Sequence, residues 1–219
     1  MEWNPSSVLR RVALSALVGC FLLAQSGCIL IPVFYRGRMA PAACEKLEGR
    51  RVAVVCTSDA SDFGPSPNAE LVARRVGVLL AQNVKKIEVT SQQRVAAWLD
   101  EHDSQYVDYA EIGRDLNVDL VVGIEIESFS LQDSATLFKG NAVYRMEVVE
   151  VQSGNVVFET YTPPVIYPPM SGVPTTSASK EQFRRKFTEI LGGDIARHFY
   201  EHDLNDQIAI DPADLGGPR

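Results

Sequence analysis

The residues whose types and spacing come nearest to catalytic chemistry are His198, Glu201 and His202. In an H-x-x-E-H pattern, two histidines four residues apart on one helix bind zinc, and the glutamate activates a water molecule. A third protein ligand would have to be Asp203, Asp206 or a distant acid such as Asp59. The alternative is that the histidines complete the apolar face of a helix near its C-terminus, where imidazoles are favourable. We prefer this alternative and expect no metal, no cofactor and no enzyme activity.

A second reactive residue is Cys28, which follows Gly27 at the end of an apolar run. Arg10 and Arg11 precede that run, and this order of charged, apolar and small residues is typical of a secretory signal. The cysteine that closes it resembles the lipobox of bacterial lipoproteins, which implies thioether lipidation and an N-terminal lipid anchor. Cys20, at the end of residues 17–20, matches the lipobox more closely. It leaves only about five apolar residues after the arginines, where roughly 7 are needed, so we favour Cys28.

A transmembrane anchor is the alternative to lipidation. The apolar run contains Gln25 and Ser26 and ends at Pro32, whereas spanning takes about 20 predominantly apolar residues. We therefore expect a signal peptide over residues 1–27 and a lipidated cysteine with its tether over 28–44. An α/β domain over 45–203 and a flexible C-terminal tail over 204–219 should follow.

The charge balance limits the class of partner. The chain has 28 acidic and 21 basic residues, and cleavage before Cys28 removes one acidic and two basic residues, which leaves a net charge of −8. This acidity argues against nucleic acid and anionic lipid headgroups as partners.

Two further cysteines belong to the domain side of the chain. Cys44 and Cys56 could form a disulfide in an oxidising periplasm. Cys56 lies in a predicted buried strand, so it could equally be a small buried hydrophobe beside an unrelated thiol. Both interpretations stay open at this stage.

Hydrophobic periodicity and turn residues predict the element order βαβααβββα, a mixed sheet of about five strands with helices packed on it. Strands are predicted over 51–56, 86–90, 118–129, 138–151 and 155–161. The helices should start with Ser66 and Pro67, with Thr90 and Gln93, with Asp108 and Glu111, and with Ser179 and Gln182. Asn117 should end the third helix in the left-handed conformation, and Ser153 with Gly154 should form a hairpin turn.

The segments IGRDLNVDLVVGIEIESFS (112–130) and NAVYRMEVVEVQSGNVVFE (141–159) resemble motifs of periplasmic proteins. These proteins are the curli-secretion channel subunit, the lipoprotein activators of penicillin-binding proteins and the amino-terminal domain of the Tol translocation protein. The resemblance covers about residues 51–200. It implies the anticodon-binding-like α/β domain of periplasmic lipoproteins and a non-enzymatic module that binds other envelope proteins.

A Pro-rich segment, residues 163–170, is the best candidate for partner binding. It combines preformed extended backbone with Val165, Ile166 and Tyr167, and such a segment loses little entropy on docking. The alternative is a loop folded back over its own sheet. The whole connection over 162–178 is expected to have no regular structure.

The function expected from sequence is that of a membrane-anchored periplasmic lipoprotein that binds another envelope component in secretion, outer-membrane assembly or cell-wall regulation. Ile29 stands where an aspartate would imply inner-membrane retention, which favours the outer membrane. Two alternatives remain: a metal-dependent hydrolase that uses residues 198–202, and a ring-forming secretion subunit that assembles as a homo-oligomer.

Overall fold

The computed structural model describes residues 39–58, 67–102 and 107–204. Both candidate lipidation sites, Cys20 and Cys28, lie outside these residues, as do Asp59, Ser66 and Asp206. The strands are β1 (Met39–Ala40), β2 (Arg51–Ser58), β3 (Glu88–Val89), β4 (Leu120–Ser134), β5 (Leu137–Glu150), β6 (Val156–Tyr161), β7 (Val165–Tyr167), β8 (Val173–Pro174) and β9 (His202–Asp203). The helices are α1 (Pro67–Asn83), α2 (Gln92–Glu101), α3 (Tyr109–Asp115) and α4 (Lys180–Ala196).

The main sheet has the strand order β3-β2-β4-β5-β6. Strand β2 is parallel to β3 and β4, whereas β4, β5 and β6 are antiparallel to one another. This arrangement confirms the predicted mixed α/β sheet of about five strands. The prediction that residues 162–178 have no regular structure is wrong, because β7 and β8 both pair with β5 beyond the end of β6.

Two cores lie on opposite faces of the sheet. Helices α1 and α4 cover the first face, where Leu120, Val122, Ile124 and Ile126 of β4 are buried. Helices α2 and α3 cover part of the second face, over Val121 and its neighbours. The cover ends at Tyr109, whose ring lies so close to Gly123 that an added Cβ would be 2.4 Å from it. Beyond this ring the second face is polar and partly exposed, as the alternation in β4 predicts.

Local signals place most of the helix ends correctly. Asp108 accepts hydrogen bonds from the backbone N–H groups of Ala110 (2.8 Å) and Glu111 (3.2 Å). Ser179 and Gln182 form the predicted capping box, and Asn117 has a φ of 55°. The predicted Thr90 cap is wrong by one residue, because the N–H of Thr90 donates to the Val52 carbonyl (2.8 Å) as a continuation of β3.

Asp119 has a structural role that the sequence did not reveal. Its carboxylate accepts hydrogen bonds from the backbone N–H of Arg51 (2.9 Å) and from the guanidinium Nη2 of the same residue (2.7 Å). These bonds hold the pKa of the Asp119 carboxyl below its ordinary value. They join the start of β2 to the turn before β4, so the two parallel strands begin in register.

Candidate functional site

Strand β5 pairs with β4 on one side and with three shorter strands, β6, β7 and β8, on the other. We call residues 161–170, which run from the end of β6 past β7, the proline margin. Three large side chains of the proline margin are exposed: Tyr161 (65%), Ile166 (45%) and Met170 (88%). Three large exposed side chains within ten residues make this segment a candidate for contact with another protein.

A groove of about 450 Å³ lies between the proline margin and the end of α4. Its apolar wall is formed by Pro163, Pro164, Ile166, Pro169 and Ile190, and its polar end by Asp194, Arg197 and His198. The groove can therefore take an apolar side chain or segment and offer hydrogen bonds at one end.

Tyr144 of β5 forms hydrogen bonds with two side chains at the polar end of the groove. Its side chain is buried, and its hydroxyl donates to Asp194 Oδ2 (3.0 Å). His198 Nε2 lies 3.1 Å from the same hydroxyl oxygen. Since a phenol has one proton, this contact is satisfied when the imidazole donates from Nε2. Burial and the nearby Asp194 charge raise the pKa of Tyr144, so the hydroxyl stays protonated.

Acidification is expected to weaken the fold through His198. Burial lowers the pKa of its imidazole below the ordinary value of about 6.5. The unfolded chain therefore takes up the proton first, and the free energy of unfolding falls as the pH drops below about 6.5. Urea unfolding near pH 7.5 and near pH 5.5 measures this loss of stability. The loss should be smaller in His198→Gln, which can still donate to Tyr144, and an equal loss in that variant would contradict the assignment.

The H-x-x-E-H residues do not share a helix. Helix α4 ends at Ala196, His198 lies in a 3₁₀ turn (Arg197–Phe199), and His202 lies in β9. Beyond the helix, the His198 carbonyl accepts hydrogen bonds from the N–H groups of Ala43 (2.8 Å) and Cys44 (2.9 Å) and not from a next helical turn. Both interpretations of the motif place the two histidines on one helix, and that placement is wrong. Among the described residues, no group of three or more His, Cys, Asp or Glu side chains could hold a metal ion.

The three residues predicted for partner binding are separated by the structure. Tyr167 is buried (2% exposed) and stacks on Phe183 with ring centroids 6.0 Å apart. Val165 is half-buried against the main core, and Ile166 is exposed. The segment does fold over its own sheet, as the alternative interpretation holds. Tyr167 is thus wrong as a surface contact, because strand pairing of β7 turns its ring into the core.

Cys44 and Cys56 are buried free thiols in the structure. Burial raises the pKa of each thiol above its ordinary value, so both are poorly reactive in the folded state. The candidate disulfide between them is not formed here.

An acidic row on the open second face is a feature that sequence reasoning missed. Glu147 of β5 lies directly opposite Glu159 of β6. The neighbouring Arg145 does not offset the charge of this pair, because its guanidinium donates instead to Glu125 Oε2 (2.6 Å). Hydrogen bonds with Tyr161 and Glu125 raise the pKa of Arg145. The Tyr161 hydroxyl in turn donates to Glu159 Oε1 (3.1 Å).

No family model matches the sequence, and no curated relative matches it either. Solved structures do. The PelC dodecamer from Paraburkholderia phytofirmans is 11% identical with a TM-score of 0.45, over 75% of this chain and 97% of that one. Lipoprotein GNA1162 from Neisseria meningitidis is 8% identical with a TM-score of 0.44, over 66% and 97%. The LpoB C-terminal domain from Escherichia coli is 16% identical with a TM-score of 0.38, over 54% and 84%.

One of these structures is named as that of a lipoprotein. With TM-scores below 0.5, they carry no conclusion about what this chain does. No helix in the described part of the chain is long and apolar enough to span a membrane.

Proposed function

We propose that this chain is a lipid-anchored envelope protein that binds another envelope protein through the proline margin. The observation that carries the proposal is that Ile166, which is 45% exposed, also lines the groove between the proline margin and α4. Apolar side chains scattered singly over a surface are normal, whereas a concave and mostly apolar groove with a polar end is the usual form of a binding site.

The backbone of the proline margin supports the same role. Strand β7 is held against β5, and prolines at 163, 164, 168 and 169 restrict the chain on both sides of it. A surface that is already ordered loses little conformational entropy when a partner docks, so more of the contact energy appears as affinity.

Lipidation at Cys28 and a position on the periplasmic face of the outer membrane complete the proposal. Ile29 after the lipidated cysteine supports the outer rather than the inner membrane. An anchored protein with an acidic domain would meet its partner at the membrane surface rather than by free diffusion.

Site-specific photocrosslinking at residue 166 in the native envelope tests the binding role. Val78 on α1 is the matched control, because its side chain is also apolar and is 43% exposed against 45% for Ile166. We expect one dominant crosslinked protein from position 166 and none from position 78. Equal yields from both positions would contradict the proposal. A self-crosslink from position 166, with a multiple of the chain mass in solution, would identify a homo-oligomer instead.

Replacing Ile166 by serine is expected to reduce recovery of that partner by about fivefold or more, because truncation of a central apolar contact at an interface costs over about 1 kcal/mol. Val78→Ser changes the same kind of side chain away from the proline margin and should leave recovery unchanged. Co-purification of the partner with each full-length lipidated variant measures the difference.

A further inference from the structure

The two edges of the main sheet differ in what they offer. The edge at β3 is a strand of two residues, whereas β6 at the other edge has six. Within the described ranges, no strand pairs with the outer side of β6. In an edge strand, alternate residues direct their N–H and C=O groups away from the sheet, so β6 offers about 20 Å of hydrogen-bonding edge.

The side chains beside this edge differ between its two faces. On the face of α4, Phe158 packs against Phe199 with ring centroids 6.1 Å apart. On the open second face, Glu159 and Tyr161 project next to Arg145 and Glu147 of β5. A strand added to β6 would therefore meet an apolar neighbour on one face and an acidic and aromatic neighbour on the other.

The acidic face is unfavourable as it stands. Like charges directly opposite each other across two strands destabilise a sheet, and Glu147 and Glu159 are such a pair. The nearest arginine, Arg145, is engaged by Glu125 and Tyr161. A basic side chain on an added strand would lie opposite Glu159 and within reach of the exposed Tyr161 ring, where a cation is also attracted.

We propose that the partner adds an extended strand to the outer edge of β6, with lysine or arginine at alternate positions on the face of Glu147 and Glu159. This inference rests on the proposed function, because the proline margin begins at the last residue of β6. A second copy of the chain fits the edge less well. Pairing two β6 edges would bring a second Glu159 toward the first, between domains that are both strongly acidic.

Binding of a defined peptide to the full-length lipidated protein in nonionic micelles tests the inference. The probe is a labelled octapeptide of alternating lysine and valine. Two matched probes are an alternating glutamate and valine octapeptide and a fully N-methylated copy of the lysine peptide. The methylated copy keeps every side chain and removes the backbone donors. We expect the lysine peptide to bind at least tenfold more tightly than either control.

Charge reversal at the edge should weaken binding of the lysine peptide by about tenfold or more in Glu159→Lys. Glu101→Lys, at the end of α2, makes the same change in net charge and should alter binding less than twofold. Thermal unfolding separates binding from folding. Because Glu159→Lys replaces a repulsive pair by an attractive one, it should raise the Tm while it lowers affinity. Glu159→Gln should lie between the unmodified protein and Glu159→Lys both in Tm and in affinity for the lysine peptide.

If the methylated peptide binds as tightly as the lysine peptide, the partner does not pair with the backbone of β6. If Glu101→Lys and Glu159→Lys weaken binding equally, the acidic row does not contact the added strand. A partner crosslinked at Ile166 together with no peptide binding would remove this inference and leave the proposed function intact. If neither crosslinking at residue 166 nor peptide binding gives the expected result, both the proposed function and this inference are removed.

Discussion

Replacing Phe187 by alanine is expected to lower the free energy of unfolding by about 3–5 kcal/mol. The side chain is fully buried on α4, and its ring packs against Phe129 with centroids 5.3 Å apart. It also covers Gly140 of β5. Truncation therefore removes apolar contacts and leaves a cavity where the C-terminal helix meets the sheet. Urea unfolding of the full-length protein in nonionic micelles, followed by circular dichroism, measures the loss.

Gly140 provides the control for this prediction. A Cβ at Gly140 would lie 2.5 Å from two carbons of the Phe187 ring, so Gly140→Ala alone should cost about 1–3 kcal/mol through overpacking. In the double variant the new methyl group enters the space that the ring has left. The two changes together should therefore cost clearly less than the sum of the two single effects. Additive costs would mean that the ring does not rest on Gly140.

Replacing Cys28 by alanine is expected to move nearly all of the protein from the membrane to the soluble fraction. Each buried CH₂ of a lipid chain contributes about 0.8 kcal/mol to membrane binding, so loss of multiple acyl chains removes the anchor. Membrane fractionation with mass analysis of the N-terminus measures the effect. Cys20→Ala is the control and should leave both lipidation and membrane binding unchanged.

Other outcomes for the two cysteine variants identify a different anchor. Release by Cys20→Ala but not by Cys28→Ala would place lipidation at Cys20, whose lipobox is the better match. Retention of both variants, with an uncleaved N-terminus, would favour the transmembrane anchor.

Sequence reasoning succeeds in this chain where the determining contacts are local. The capping residues Asp108 and Ser179 bond backbone groups within three positions, and Asn117 takes the left-handed conformation by itself. The strand pattern of β4 also depends only on alternation along one segment. The architecture follows from these signals because few topologies satisfy them together.

The candidate site depends instead on contacts between distant parts of the chain. Tyr144 meets His198 across 54 positions. The opposition of Glu147 and Glu159 depends on a strand register that includes a shift between Val148 and Val149, which side-chain alternation does not reveal. The chain beyond α4 depends on a distant segment as well, since the His198 carbonyl accepts hydrogen bonds from the N–H groups of Ala43 and Cys44.

The division of one strand edge among three short strands has a consequence for how this domain opens. Strand β5 pairs with β4 along almost its whole length, but on its other side it holds β6, β7 and β8 as separate pieces. Each piece can leave β5 without breaking the β2-β4-β5 ladder, so the cost of releasing one is a fraction of global unfolding. Part of the surface proposed to meet a partner can thus open locally while the rest of the domain stays folded. A partner that binds there would stabilise the closed form, and this stabilisation would grow with the logarithm of the partner's concentration above its Kd.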